Sequence, residues 1–326
     1  MHSFARRLAG SVVLLWLVLT LTFVLLRSAP GDPAALLVAP GASADEISRT
    51  RTSLGLDAPL PVQYARWAGG VLKGDLGTSF ARQLPVTQVI GEALPVTLAL
   101  SAASLLLTFI IGVTVGAWQA RRRGTWKDVV ATVATTTVYA APSFWLALAL
   151  VALFTVGAAR WGFPSWLRLP AFGVRDPRGE PTSIAAVADL ARHATLPIVT
   201  LTAIGAAGVA RYARSVAVDL LRMRWVTVAT AKGVPERGVL SRHVLANALP
   251  PLLVLLALAL PGVLAGSVFV ETVFAWPGMG SLLTTAIAAR DYPVVLGVTV
   301  AYAALVIVAN LAADLMLPVV DPRRRS

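Results

Sequence analysis

The chain has 326 residues, of which 57% are hydrophobic and only 13% are charged. Soluble globular proteins carry about 25% charged residues, so this composition excludes an ordinary soluble domain and indicates an all-α membrane protein. The formal net charge is +12, and cysteine is absent, which excludes disulfides, thiolate metal sites and cysteine nucleophiles.

Six apolar segments are long enough to cross about 30 Å of hydrocarbon. They lie at 9–27, 95–119, 129–157, 194–216, 248–270 and 296–319. With the N-terminus inside, the inner side holds sixteen basic residues against four acidic ones, and the outer side twelve against eleven. An excess of Lys and Arg on the cytoplasmic side is what membrane topology requires. The net charge therefore indicates orientation and disfavours nucleic-acid binding.

The first segment is predicted to be a retained helix. Arg6 and Arg7 resemble the charged start of a signal peptide, but the apolar run from Leu8 to Leu26 exceeds the usual core of about 7–15 residues. The division that follows is 1–27 for the N-terminus and first helix, 28–94 for an extracytoplasmic loop, and 95–326 for a five-helix core.

The loop at 28–94 opens with the turn signature Pro-Gly-Asp-Pro at 30–33. Within it, Tyr64, Trp67 and Val71 recur at i, i+3, i+7, which predicts a short amphipathic helix at the outer interface. Two roles stay open for this region: a packed loop over the outer mouth, or a docking site for a receptor.

Small residues and a proline in the spans bear on helix packing. Gly112–Gly116 and Gly262–Gly266 are small-xxx-small pairs that allow close approach of helix backbones. Pro142 is expected to kink the third span, with a gating hinge as the alternative.

The ends of the last two spans carry polar residues. Asn310 and Asp314 lie four apart and share one face of the last span, where Asp314 serves either helix packing or substrate contact. The run from Glu271 to Gly280 ends the fifth span, and Ser281–Arg290 is expected to re-enter or to lie flat.

Residues 222–251 form a basic, amphipathic segment between two spans. If Val226–Lys232 is helical, then Val226, Ala229 and Gly233 share one face that a partner can approach closely. A second helix could start at Pro235, whose missing N–H costs nothing in a first turn. From the residues alone, an ordinary positive-inside loop and a docking element are both compatible with this pattern.

The sequence contains no recognisable motif for nucleotide binding, hydrolysis or metal binding. No Gly-x-x-x-x-Gly-Lys-Ser/Thr loop is present, and no serine, histidine and carboxylate set suggests hydrolysis. The three histidines, at positions 2, 193 and 243, are too far apart in sequence to form a ligand pair at helical spacing. We therefore expect no catalytic, cofactor-binding or metal site, and any ATP must be bound by another chain.

Taken together, the motifs resemble the first of the two permease types of bacterial ABC importers for di- and oligopeptides and nickel. The likeness runs along the whole chain in order and spacing. It is carried by PGDP at 30–33, LGLDAPLPVQYARW at 54–67, GDLGTS at 74–79, PSFWL at 142–146, ATLP at 194–197, ARYARS at 210–215, ATAKGVPERGVLSRHVLANALPP at 229–251, ETVFAWPGMG at 271–280, DYPVV at 291–295 and DPR at 321–323.

This resemblance implies an importer-type ABC transmembrane domain of six helices in the bacterial plasma (inner) membrane, with both termini cytoplasmic. It implies a second permease subunit, two ABC ATPase subunits that bind ATP and Mg, and an extracytoplasmic substrate-binding protein. The chain itself would hold no cofactor, would not be an enzyme, and would form half of the translocation pathway.

The family's coupling motif, Glu-Ala-Ala-x-x-x-Gly, falls on 227–233, within a coupling segment at 217–247. Ala229 and Gly233 fit the motif, whereas Thr227 and Val228 depart from it. The resemblance thus implies a cytoplasmic coupling helix made by Arg224, Trp225, Val226, Ala229, Lys232, Gly233 and Pro235. Candidate pathway or gating residues are Pro142, Glu271, Asn310 and Asp314.

The transported substrate and the class of membrane protein both leave alternatives open. Peptide is favoured over nickel or another small solute, because nickel would favour imidazole or carboxylate ligands and His193 is the one histidine expected near the outer mouth. A secondary transporter would need an ion site of its own, and few buried acids and no inverted repeat are evident. A non-transporting scaffold would leave 222–251 without a role.

Overall fold

The computed structural model describes residues 2–28, 31–38, 42–176 and 184–320, and the regular structure in these ranges is helical. The α-helices are α1 (His2–Ser28), α2 (Pro33–Leu37), α3 (Ala44–Ser53), α4 (Leu60–Leu72), α5 (Val86–Arg121), α6 (Trp126–Ala140), α7 (Ser143–Val151), α8 (Ala158–Arg160), α9 (Ile184–Leu221), α10 (Arg224–Ala231), α11 (Glu236–Gly238), α12 (Ala246–Val273), α13 (Met279–Ala288) and α14 (Tyr292–Val320). Two π-helical turns, Ala152–Gly157 and Val239–Leu245, and a 3₁₀ turn at Ser165–Leu167 complete the set.

Six helical stretches among the described residues are long and apolar enough to span a membrane, as the sequence predicts. They are Ala9–Ser28, Val86–Arg121, Ser143–Arg160, Ile184–Leu221, Arg242–Ala259 and Tyr292–Ala312. Each overlaps one predicted segment. The fold class, an all-α membrane protein with six spanning helices, is confirmed.

The third predicted span is broken, not kinked, at its proline. α6 ends at Ala140, and Ala141 and Pro142 are both extended before α7 begins at Ser143. Proline disfavours the helical conformation in the residue before it and donates no backbone hydrogen bond, so the helix stops and restarts. The expectation of a kink at Pro142 was therefore wrong.

One compact unit comprises Met1–Val96 and Gly278–Ile307. Its core joins the start of α5 to α13 and α14 through Val86, Val89, Ile90, Met279, Leu282, Val294 and Val298. α4 forms where the Tyr64 periodicity predicts a helix, and its rings pack on α1. Trp67 stacks on Phe23 with 5.4 Å between centroids, and the hydroxyls of Tyr64 and Thr20 are 2.7 Å apart.

A buried carboxylate fixes the loop that leads into α5. Asp291 is 2% exposed and precedes α14. It accepts hydrogen bonds from Ser79 Oγ at 2.5 Å, from the Phe80 N–H at 3.0 Å and from the Ala81 N–H at 3.1 Å. Three donors more than 200 positions away in sequence thus converge on one side chain, which closes this unit.

The second unit comprises Thr97–Pro277 and Val308–Ser326. Its central helix is α9, which packs against α6, α7 and α12. The pair Gly112–Gly116 makes the close approach that its spacing predicts: a Cβ at Gly112 would lie 2.6 Å from Val209 Cβ, and one at Gly116 would lie 2.5 Å from the Ala210 carbonyl oxygen. Gly262 has open space at its Cβ position, and Gly266 lies outside the residues whose surroundings are described.

Replacing Asp291 by alanine is expected to lower the free energy of unfolding by about 3 kcal/mol, because three donors would lose their acceptor. Asp291→Asn keeps one acceptor oxygen and should have an intermediate effect. Thermal unfolding of the purified chain in detergent measures this. Asp45→Ala, at an exposed position on α3, serves as the control, and an equal loss of stability in the control would contradict the role given to Asp291.

Candidate functional site

The predicted coupling segment contains one regular helix, α10, that is half embedded in its own chain. Met223 is extended and precedes Arg224, the first helical residue. Val226 and Ala229 are 6% and 7% exposed. They pack in a cluster with Ala120, Ala217, Val239 and Val244. Burial of this apolar stripe holds α10 against the end of α9 and the π-helical turn after α11.

Gly233 ends α10 in a Schellman motif. Its φ is +79°, which is the left-handed region that glycine adopts without strain. The Gly233 N–H donates to the Thr230 carbonyl at 3.0 Å and the Val234 N–H to the Ala229 carbonyl at 3.2 Å. The glycine of the motif is therefore explained by the turn that it makes, since a Cβ at Gly233 would meet open space.

The sequence predicts that a partner approaches the face of α10 that carries Val226 and Ala229, but the structure exposes a different face. Because Val226 and Ala229 are covered by the protein's own residues, they are not available to a partner, and this part of the expectation was wrong. Arg224, Val228 and Ala231, at i, i+4 and i+7, are exposed instead.

The remaining predicted residues of the segment border this exposed face. The Trp225 ring is 37% exposed and lies 6.1 Å from the His243 ring. Lys232, the C-cap of α10, and Pro235, which is extended and precedes α11, are exposed. The structure thus gathers the predicted segment around one short helix with two different faces.

Two ion pairs tie the surroundings of α10 together. Arg121 Nε, at the end of α5, donates to Glu236 Oε1 at 2.8 Å, and this bond lowers the pKa of Glu236. Arg214 on α9 donates two hydrogen bonds, each of 2.8 Å, to the Asp128 carboxylate. The Arg214 guanidinium, together with the Gly124 N–H, holds the pKa of the Asp128 carboxyl below its usual range although burial opposes this.

Both pairs were missed by sequence reasoning. The partners lie 115 and 86 positions apart in sequence. The only signal was the position of Asp128 just after the basic run at 121–127, at the start of a helix. An acid in the first turn also suits the helix dipole.

The four candidate pathway residues have different surroundings. Pro142 borders an open surface groove of about 700 Å³ that Thr132, Thr136 and Trp145 also line. Glu271 on α12 is fully buried, and its Oε1 accepts a hydrogen bond from Thr97 Oγ1 at 2.8 Å.

Of the other two, Asn310 is exposed on α14. Asp314 lies on the same helix, but its side chain is outside the described part of the chain. Among the contacts given for the described side chains, none joins Pro142, Glu271 or Asn310 to another of the three.

Within the described residues, no group of three histidine, cysteine or acidic side chains is close enough to hold a metal ion. His193 is largely buried on α9, and its Nδ1 lies 2.9 Å from the Asp189 carbonyl oxygen and 3.3 Å from its carboxylate. The Nδ1 atom of this histidine is therefore engaged within its own helix.

The chain was compared with known proteins. Residues 112–326 match the family described as binding-protein-dependent transport system inner membrane component, and residues 1–101 match its N-terminal region. The chain is 36% identical over 319 residues to the oligopeptide transport system permease protein AppB of Bacillus subtilis, covering 98% of this chain and 97% of that protein. It is 35% identical over 321 residues to the probable peptide ABC transporter permease protein y4tP of Sinorhizobium fredii, covering 98% of each.

Gly233→Ala is expected to destabilise the end of α10 by about 1 kcal/mol, because an L side chain is strained at positive φ. Amide hydrogen exchange of residues 224–234 should then become about fivefold faster. Gly233→Asn should have a smaller effect, since asparagine tolerates this region.

Gly91→Ala is the matched control, because the Cβ position of Gly91 on α5 is open and its φ is not positive. Unchanged exchange in Gly233→Ala would show that the Schellman turn does not hold the helix.

Proposed function

The chain belongs to the family of binding-protein-dependent transport system inner membrane components, and from that premise we propose that it forms half of the translocation pathway of an ATP-driven importer of peptides. As a member of this family it is a multi-pass inner-membrane permease and not an enzyme. The observation that carries the proposal is α10, a short helix anchored by Val226 and Ala229 with its opposite face exposed.

Peptide cargo is supported by the relatives, whose names describe oligopeptide and peptide permeases. The nickel alternative would need several ligands, and among the described residues no group of three histidine, cysteine or acidic side chains lies close enough to hold a metal ion. This favours peptide over nickel for the present chain.

We assign ATP hydrolysis to separate subunits. The sequence contains no phosphate-binding loop, so ATP and Mg would be bound by two ATPase subunits, and this chain would hold no cofactor. A second permease would complete the pathway, and a substrate-binding protein on the outer side would deliver the peptide.

Coupling would run through the exposed face of α10. When ATP draws the ATPase subunits together, a partner groove seated on Arg224, Val228 and Ala231 would move α10. Because its other face is packed on α9 and on the π-helical turn before α12, the displacement would pass to those helices. Each end state would be stabilised by contacts that the other lacks, as alternating access requires.

The proposed orientation places both termini and the segment at 217–247 in the cytoplasm, and 28–94 outside. It rests on the excess of basic residues on one side of the six spans. The predicted division into 1–27, 28–94 and 95–326 follows this topology and not the packing units described above.

Val228→Asp tests coupling. A carboxylate placed in the docking contact would be desolvated, at a cost on the order of 2 kcal/mol or more that a single ion pair with Arg224 on the same face would not repay. Peptide-stimulated ATPase activity and peptide uptake by the reconstituted complex should fall about tenfold or more, with the chain still inserted. The control is Val187→Asp, the same change at an exposed valine near the start of α9. Normal transport by Val228→Asp would refute the docking face.

Orientation is tested with two single cysteines in this cysteine-free chain, Arg49→Cys and Lys232→Cys, both at exposed positions. A membrane-impermeant maleimide should label position 49 in intact cells and position 232 only after the membrane is opened. Labelling of position 232 but not position 49 in intact cells would show that the topology is the reverse of the proposed one.

A further inference from the structure

The unit formed by Met1–Val96 and Gly278–Ile307 contains a cavity to which the proposed function assigns no role. It has a volume of about 380 Å³ and lies among the end of α1, α4 and the start of α14. That volume is within the range of small-ligand sites. Its lining carries charges of both signs: Arg27 and Arg66 on one hand, and Asp75 on the other.

The two arginines offer donors to an anion. The Arg27 guanidinium lies 5.6 Å from the Phe23 ring centroid and 5.3 Å from that of Tyr292, which holds it in place without neutralising it. Neither Arg27 nor Arg66 forms an ion pair with a carboxylate of the described residues. Guanidinium groups suit phosphate, to which they can donate two parallel hydrogen bonds.

The acceptors in the cavity suit a cation that carries N–H groups. Asp75 uses Oδ1 to accept from the Gly77 N–H at 2.9 Å, and Oδ2 makes no hydrogen bond with the described residues. Gln63 donates both of its bonds from Nε2, to the carbonyls of Leu56 and Ala58, which fixes the orientation of the amide. Its Oε1 is fully buried and has no donor among the described residues, so the open acceptor of the cavity is Asp75 Oδ2.

The cavity borders the end of the first candidate membrane span. By length and composition this span ends at Ser28, one residue beyond Arg27, which is where a headgroup would lie if the apolar stretch crosses the hydrocarbon. Below it, the side chains of Leu17, Leu21 and Leu25 are 55–61% exposed on α1. An acyl chain can lie along these residues while its headgroup enters the cavity.

We propose that this cavity binds a phospholipid whose headgroup carries a phosphate and a primary ammonium, such as phosphatidylethanolamine. The phosphate accepts from Arg27 and Arg66, the ammonium donates to Asp75, and the acyl chains cover the exposed face of α1. A zwitterionic peptide has the same two charges but has no apolar chain to fill that face, so the lipid is the better match.

The test is lipid binding to the purified full chain by native mass spectrometry in detergent. The probes are phosphatidylethanolamine, phosphatidylcholine and phosphatidylglycerol with identical acyl chains. Phosphatidylethanolamine should bind saturably and about tenfold more tightly than the other two, since choline has no N–H to donate and glycerol has no positive charge. Equal binding of all three lipids would overturn the proposal.

Variants separate the two halves of the headgroup site. Arg66→Gln should weaken binding of phosphatidylethanolamine and phosphatidylcholine alike, whereas Asp75→Asn should abolish only the preference between them. Lys73→Gln removes a basic charge at the end of α4 outside the cavity lining and should change nothing. Unchanged affinity in Arg66→Gln or unchanged lipid selectivity in Asp75→Asn would overturn the proposal, as would displacement of the lipid by soluble Ala-Ala, which would make the cavity a peptide site.

Discussion

The structure depends first on the absence of water from the interior of a bilayer. Backbone N–H and C=O groups in hydrocarbon must be satisfied within the protein, and a helix does this locally. Where a helix is interrupted, the freed groups need other partners. After α12, the backbone N–H of Trp276 donates to the Glu271 carbonyl at 2.8 Å, and the backbone N–H of Gly173 donates to the Phe274 carbonyl at 2.9 Å. The irregular backbone that follows α12 is thus stabilised by the chain's own hydrogen bonds.

The mechanical properties of α10 follow from its asymmetric burial. A helix of eight residues is marginal alone, so α10 exists because Val226 and Ala229 are packed and because Gly233 closes its end. The ion pair between Arg121 and Glu236 adds a link to α5, although its carboxylate is largely exposed and its contribution is small. The packed face therefore carries the connection to the spans, and the opposite face is left uncovered by the chain's own described residues.

Local patterns in the sequence predicted much of the fold. The length of the apolar segments predicted the six spans, and the spacing of Tyr64, Trp67 and Val71 predicted α4. The pair Gly112–Gly116 predicted a close contact between helices. What could not be predicted was which surface covers a given face. The small residues of α10 look the same whether a partner or the chain itself packs on them. In the sequence, Asp291 has the features of an ordinary loop residue. Its partner Ser79 is far away along the chain, and only the fold brings the two together.

The different burial of α1 and α9 sets how freely each helix can change over evolution. In the most apolar stretch of α1 only 11% of residues are buried, against 50% in α9. Exchanges among leucine, valine and isoleucine in α1 alter little beyond the surface offered to lipid. α9 instead presents Ala206 and Ala210 to glycines of α5, where one added methyl group meets backbone. Sequence drift should therefore be fast in the first helix and slow in the central one.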